Sequence, residues 1–263
     1  MKYLSVDYEM ALELLQCCVQ TYKQWETDGM FTIPSNFSLI KAFKACVIAE
    51  QEWFGFVIAN DQFVYVAFRG TKTELDWLAD FKFDQEIFPF AEGCGSVHSG
   101  FLSIYRSCRE ELLSIVKELA LGRKIFITGH SLGGTLATLF GFELAMSGIC
   151  SPNIYTFGAP KVGNSLFKQK YEENVRQSIR FVNLYDMVPL APPFKIDIKP
   201  LNIYLEYVQV QHAITFAKNK GTVQKSHHIN TYIEGVEKMK KDFDYTPTFT
   251  VKFRNEEQTV KKI

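Results

Sequence analysis

Gly129-His130-Ser131-Leu132-Gly133 sits between an apolar run, Ile125–Thr128, and a second one rich in leucine, alanine and phenylalanine. A serine flanked by glycines two positions away on each side, between strand and helix, is the pattern of a nucleophile elbow. The turn holds the hydroxyl above the sheet, and residues two before and two after must be small to avoid collision. The helix opening behind Ser131 would present free N–H groups and its positive end to a developing oxyanion. A serine hydroxyl is a poor nucleophile at neutral pH and needs a base, which in turn needs an orienting acid. The chemistry such a set performs is acyl transfer.

Hydrolases built on this elbow carry the acid and then the base downstream of the serine. Asp186 closes the run Ile179–Tyr185 and precedes Met-Val-Pro-Leu-Ala-Pro-Pro, so a proline-rich turn would fix its carboxylate. Asp197, between Lys195 and Lys199, is the rival and reads as a solvated residue. The histidines are His98, His130, His212, His227 and His228. His130 is locked in the elbow, His98 precedes a helix, and His212 reads as part of an exposed strand. His227 and His228 follow Ser226, a candidate helix N-cap, and neighbours at a helix start point about 100° apart, so one of them at most can face Ser131. A helix N-terminus disfavours the imidazolium, keeping such a histidine available as a base.

Those residues need a frame. Residues 7–25 read as an amphipathic helix, and 53–59 and 63–68 as strands joined by an Asn60-Asp61 hairpin turn. Helix 99–121 follows, then strand 124–128, helix 133–146, strand 154–157, helix 165–175, strand 179–185 and helix 228–243, with an extra strand in the tail at 246–253. That alternation predicts an α/β fold: a mostly parallel central sheet, helices on both faces and an antiparallel early hairpin. Ligands then bind at the carboxyl ends of the strands, where Ser131 and Asp186 fall. With no repeat, linker or low-complexity tract, the 263 residues are expected to form one domain.

Composition narrows the function classes. A 47 % hydrophobic content excludes a disordered chain, and 29 basic against 29 acidic residues gives no footprint for nucleic acid. Residues 125–142 lack any charge, yet their glycines, threonines and His130 make a poor membrane span. Six scattered cysteines without C-x-x-C spacing read as free, buried thiols in a reducing compartment. The first sixteen residues interrupt their apolar pattern with Asp7, Glu9 and Glu13, an amphipathic helix and not a signal peptide. The expected location is therefore cytoplasmic, with non-standard secretion left open.

Taken in order, six segments resemble the class 3 (fungal-type) triacylglycerol lipases of the α/β-hydrolase fold. They are Val66-Ala-Phe-Arg-Gly-Thr71 with Asp76-Trp-Leu-Ala-Asp80; Val97-His-Ser-Gly-Phe101 with Tyr105; Gly129-His-Ser-Leu-Gly-Gly134; Tyr155-Thr-Phe-Gly-Ala-Pro-Lys-Val-Gly163; Asn183-Leu-Tyr-Asp-Met-Val-Pro189 with Pro192-Pro193; and His227 with Tyr232. The resemblance implies a serine ester hydrolase that cleaves acylglycerols through an acyl-enzyme on Ser131, with Asp186 as acid. It selects His227 over His228, because the family's base precedes an aromatic residue by five positions. It implies an oxyanion hole from Thr71 and the N–H of Leu132, and a lid near 71–80 with Leu75, Trp77 and Leu78 as its apolar face. No cofactor or metal is implied; the partners are a lipid or ester substrate and transient contact with a lipid interface. A phospholipase A1 or a short-chain carboxylesterase on the same scaffold is the alternative, and a non-catalytic lipase-like binding scaffold a remote one. Residues 1–45 and the tail after about 245 match no motif of the family.

Overall fold

The computed structural model of the protein describes residues 6–47, 49–71, 84–198, 203–210, 213–244, 248–253 and 256–261. In chain order the first elements are α1 (Tyr8–Glu26), β1 (Ser38–Val47), β2 (Glu50–Ala59), β3 (Phe63–Phe68), β4 (Gln85–Ile87), β5 (Ser96–His98) and α2 (Ser99–Leu119). The α/β alternation follows with β6 (Lys124–His130), α3 (Leu132–Met146), β7 (Asn153–Phe157), α4 (Ser165–Asn174) and β8 (Gln177–Asn183). Beyond it come β9 (Lys195–Ile198), β10 (Ile203–Glu206), β11 (Ala213–Phe216), α5 (Val223–His227), α6 (Ile229–Asp244), β12 (Thr248–Phe253) and β13 (Glu256–Lys261).

Seven of these strands form one sheet in the order β1-β2-β3-β6-β7-β8-β11. The first three are antiparallel, and from β3 onward all neighbours are parallel. The early hairpin turns where the sequence places it: the Asn60 side chain accepts from the N–H groups of Gln62 and Phe63, an Asx turn that reverses the chain.

Side chains alternate between two cores, as the pleat requires. Val64, Val66, Phe68, Ile125 and Ile127 join α2, α3 and α4 on one face. Tyr65, Ala67, Phe126, Phe157 and Phe181 join α1 and α6 on the other. The uncharged stretch 125–142 is the central strand β6 and the start of α3, a helix buried on all sides from Leu132 to Leu144. Burial within the protein accounts for its apolar character; among the described residues no helix is long and apolar enough to cross a membrane.

Several boundaries differ from expectation. β1 lies in a stretch the sequence left unassigned: its outer half is exposed, so only Phe43 and Ala45 carry an inward pattern. β8 stops at Asn183, because the Asn183 amide clamps the chain there by donating to the carbonyls of Lys218 and Ser226. The expected helix 228–243 is α6, Ile229–Asp244, and a separate short helix the sequence did not suggest, α5, precedes it, with His228 at φ −55°, ψ 140° between the two. β12 and β13 pair with each other as an antiparallel ribbon.

Candidate active site

Ser131 occupies φ 57°, ψ −130°, a strained backbone position for a residue with a side chain, between β6 and α3. The two flanking glycines are required for different reasons. A Cβ on Gly129 would lie 2.1 Å from the Gly133 carbonyl carbon, across the turn as expected. A Cβ on Gly133 would instead lie 2.2 Å from the Phe68 carbonyl oxygen, so this glycine lets α3 close onto β3. The Ser131 N–H donates to the Phe157 carbonyl at 2.9 Å, tying the elbow to β7, and Leu132 opens α3 immediately behind it.

His227 is fully buried, and its Nδ1 donates to Asp186 Oδ2 at 2.6 Å. The same carboxylate oxygen accepts the Tyr232 hydroxyl at 2.5 Å, and Oδ1 accepts the Val188 N–H at 2.9 Å. Held from three sides, the carboxylate fixes the tautomer that leaves His227 Nε2 unprotonated and able to take a proton. Burial and the neighbouring Asp186 carboxylate raise the Tyr232 phenol well above its usual value, so it remains a donor.

His228 is exposed and its Nδ1 accepts from the Asn230 N–H, so one imidazole of the pair turns inward and one outward. The local helix differs from expectation, however. Ser226 is no N-cap: Thr222 caps α5, and His227 is that helix's last residue. The dipole argument for a neutral His227 therefore falls, and the contact with Asp186 orients the ring instead. Asp197 lies exposed on β9, paired in register with Tyr204.

Thr71 follows β3 at the same end of the sheet. A Cβ on Gly70 would come within 3.1 Å of the Ser131 Cβ, which places the Gly70–Thr71 backbone against the serine. Arg69 sets this backbone: its Nε donates to the Gly70 carbonyl at 3.0 Å, its Nη2 pairs with Glu52 at 2.5 Å, and its guanidinium stacks on Trp25 and Phe54. Leu75, Trp77 and Leu78, the expected lid residues, lie outside the described residues.

The N-terminal helix enters the site, which the sequence gave no sign of. His130 Nε2 donates to the His227 carbonyl at 2.8 Å, leaving Nδ1 to accept the Tyr22 hydroxyl at 2.8 Å. Burial, with His227 alongside, holds the His130 imidazole well below the usual histidine range, so it is neutral. The route from α1 through His130 to the His227 backbone spans more than a hundred residues of sequence. No local pattern encodes it.

Three buried polar atoms in this cluster have no hydrogen-bond partner among the described residues: Ser131 Oγ, His227 Nε2 and Thr71 Oγ1. The expected bond between Ser131 Oγ and His227 Nε2 is not formed in this structure; such bonds are often long before substrate binds. An unpaired buried hydroxyl or imidazole nitrogen costs about 1–3 kcal/mol, so three of them around one strained serine are costly unless a reacting group uses them. A nucleophile, a base with its acid and a polar hydrogen-bonding atom are what ester cleavage requires. Among the described residues no group of His, Cys, Asp and Glu could hold a metal ion.

Comparison with known proteins agrees with this geometry. The family model described as "Lipase (class 3)" matches residues 65–196. A phospholipase A1-Igamma2, chloroplastic, of Arabidopsis thaliana is 31 % identical over 235 residues, covering 73 % of this chain and 44 % of the relative. A secreted mono- and diacylglycerol lipase of Fusarium solani is 30 % identical over 153 residues, covering 56 % of this chain and 45 % of the relative. The chain thus spans less than half the length of these relatives. The crystal structure of a lipase from Rhizopus microsporus var. chinensis superposes with a TM-score of 0.65 at 22 % identity, covering 87 % of this chain and 83 % of that one. That likeness gives the α/β-hydrolase fold. Relatives named as chloroplastic or secreted point away from the cytoplasmic location expected from the N-terminus, and that expectation is corrected. An amphipathic first helix reports how α1 packs and carries no address. From the elbow through the Asp186 turn, the matched segment coincides with the elements that build the site, and the chain belongs to the class 3 lipase family.

Proposed function

We propose that the protein is a serine ester hydrolase that cleaves acylglycerol esters, acting as a single unit with Ser131, His227 and Asp186 as its catalytic residues. The observation that carries this reading is the set of unpaired buried atoms, Ser131 Oγ, His227 Nε2 and Thr71 Oγ1, beside a carboxylate-held imidazole. Ser131 Oγ attacks the ester carbonyl while His227 Nε2 takes its proton, and Asp186 stabilises the imidazolium. The Leu132 N–H, with the N–H and hydroxyl of Thr71, receives the oxyanion; donors of this kind contribute about 3–4 kcal/mol each. The tetrahedral intermediate collapses as His227 returns the proton to the departing alcohol. Water, deprotonated by the same imidazole, then releases the fatty acid.

Phospholipase A1 activity is the second reading, supported by the Arabidopsis relative, which bears that name. The two share the mechanism and differ in the alcohol that leaves. Initial rates on mono-, di- and triacylglycerol and on phosphatidylcholine, alongside p-nitrophenyl esters of rising chain length, test the proposal. Rates highest on acylglycerols support the first reading, and preferential release of the sn-1 acid from phosphatidylcholine supports the second. No turnover of any ester would overturn both.

A further inference from the structure

We infer that Lys161 is a positioning residue for Asp186: its ammonium holds the loop behind the carboxylate and so fixes where Asp186 meets His227. The inference rests on the ester-hydrolase reading above, which it deepens by naming a residue that acts through the acid.

Ser131, His227 and Asp186 all lean on one short segment, residues 157–161, at and just beyond the end of β7. The Phe157 carbonyl accepts the Ser131 N–H at 2.9 Å. Gly158 lies against the base: a Cβ there would stand 3.0 Å from His227 Cε1 and 2.8 Å from the Tyr232 hydroxyl, and its φ of 62° suits glycine as well. Lys161 ties the acid's loop to the same segment. Its Nζ donates to the Leu190 carbonyl at 2.6 Å and to that of Pro192 at 2.8 Å, and its N–H to that of Ala191 at 2.7 Å. Gln209 Nε2 donates to the Pro189 carbonyl at 3.2 Å and to the Ala159 carbonyl at 3.0 Å. The consecutive carbonyls of Pro189, Leu190, Ala191 and Pro192 are thus all taken by Lys161 and Gln209.

A path of hydrogen bonds joins this clamp to the carboxylate. The Ala191 N–H donates to the Val188 carbonyl at 3.0 Å, and the Val188 N–H to Asp186 Oδ1 at 2.9 Å. The other oxygen, Oδ2, holds His227 Nδ1. Displacing residues 190–192 therefore moves the donor that orients Asp186. The loop cannot hold itself in this way. Its prolines at 189, 192 and 193 have no N–H to donate, and the single 3₁₀ turn at Val188–Leu190 leaves its last carbonyls without partners of its own.

The choice of a cation here has a cost. Lys161 is half-buried, burial lowers its amine from the ordinary value, and among the described residues no acid offsets this. Packing alone would be met by a methionine of similar length. An ammonium desolvated against two loop carbonyls is explained by what it holds in place.

Steady-state kinetics on a soluble p-nitrophenyl ester test this in a cycle of Lys161→Met and Asp186→Asn. Lys161→Met should lower kcat by about tenfold to a hundredfold, with KM within about twofold of the wild type. In the Asp186→Asn background the same substitution should cost less than about twofold more, because the group it acts through has already lost its charge. Equal losses in both backgrounds would mean a general loosening of the fold and would overturn the proposal, as would an unchanged kcat or a change confined to KM. Lys161→Gln, which keeps a donor for one carbonyl, serves if Lys161→Met does not fold, with a smaller loss of the same pattern expected. Proton NMR supplies a readout that needs no turnover. The His227 Nδ1 proton, identified by its loss in His227→Ala, resonates far downfield while Asp186 holds it. It should shift upfield or exchange away in Lys161→Met, and a wild-type position there would also overturn the proposal. A wild-type protein that cleaves no ester yet shows this response would remove the ester-hydrolase reading and leave the positioning role standing.

Discussion

Tyr232 donates its hydroxyl to Asp186 Oδ2, the same oxygen that accepts Nδ1 of His227. One carboxylate oxygen is thus shared by a phenol from the first turn of α6 and an imidazole from the end of α5, joining two helices that the backbone break at His228 separates. The Tyr232 hydroxyl also lies 3.4 Å from the Asn183 N–H, at the end of β8. Tyr232→Phe keeps the ring packed but removes the shared bond. We expect a loss of about 1–2 kcal/mol in stability and a fall in kcat of about tenfold, with KM nearly unchanged. Urea unfolding and steady-state kinetics on a soluble ester check both.

The histidine pair offers a sharper contrast. His227 is buried against Asp186, whereas His228 is exposed. His227→Ala should cost about 10⁴-fold or more in kcat, and His228→Ala less than about twofold. Equal losses in the two purified variants would contradict the assignment of the base.

Glycine contacts predict a stability difference that depends on place and not on residue type. A Cβ on Gly133 would sit 2.2 Å from the Phe68 carbonyl oxygen, while one on Gly148 would meet nothing within 4 Å. Gly133→Ala must push α3 away from β3 and should destabilise by about 4 kcal/mol or more. Gly148→Ala suffers only from its positive φ of 68°, about 1–2 kcal/mol. Thermal melts of the two variants measure the gap.

Two buried histidines set an acid limit on stability. Burial lowers the folded-state pKa of His98 to about 3 and holds that of His130 well below the usual range. Unfolded, each titrates near about 6.5. Below that value the unfolded chain binds protons that the folded chain refuses, so their contribution is complete above about pH 6.5 and is lost as pH falls. Each histidine should add about 1.4 kcal/mol per pH unit to that loss. His98 caps α2 through Nδ1, and asparagine can cap without titrating. His98→Asn should therefore flatten the slope between about pH 6 and 4 by roughly that amount. Parallel stability curves for variant and wild type would contradict it.

Much of the frame was legible because its parts are local. Strand, glycine-flanked serine and helix are contiguous from Ile125 to Phe142, and each flanking glycine answers to a contact within the βα unit or with the next strand. The first helix was legible as a helix but not as part of the site. The three- and four-residue steps of Leu12, Leu15, Val19 and Tyr22 read Tyr22 only as one more apolar-face residue, whereas its hydroxyl meets His130 through a contact fixed only by tertiary packing. The capping assignment at Ser226 failed for a related reason. Thr222 four residues earlier caps equally well, and Asn183 accommodates the short helix by holding the Ser226 carbonyl. β1 stayed hidden because an edge strand with an exposed outer half needs little apolar patterning.

Covalent labelling with a fluorophosphonate, read by peptide mass spectrometry, tests the central claim most directly, because the reagent reports a nucleophile activated by its base whatever the natural substrate. The account predicts one adduct on the peptide carrying Ser131. It should be abolished in Ser131→Ala and strongly slowed in His227→Ala, with His228→Ala labelled like the wild type. A folded wild-type protein that stays unlabelled at Ser131 while still hydrolysing esters, or one labelled equally fast without His227, would contradict it.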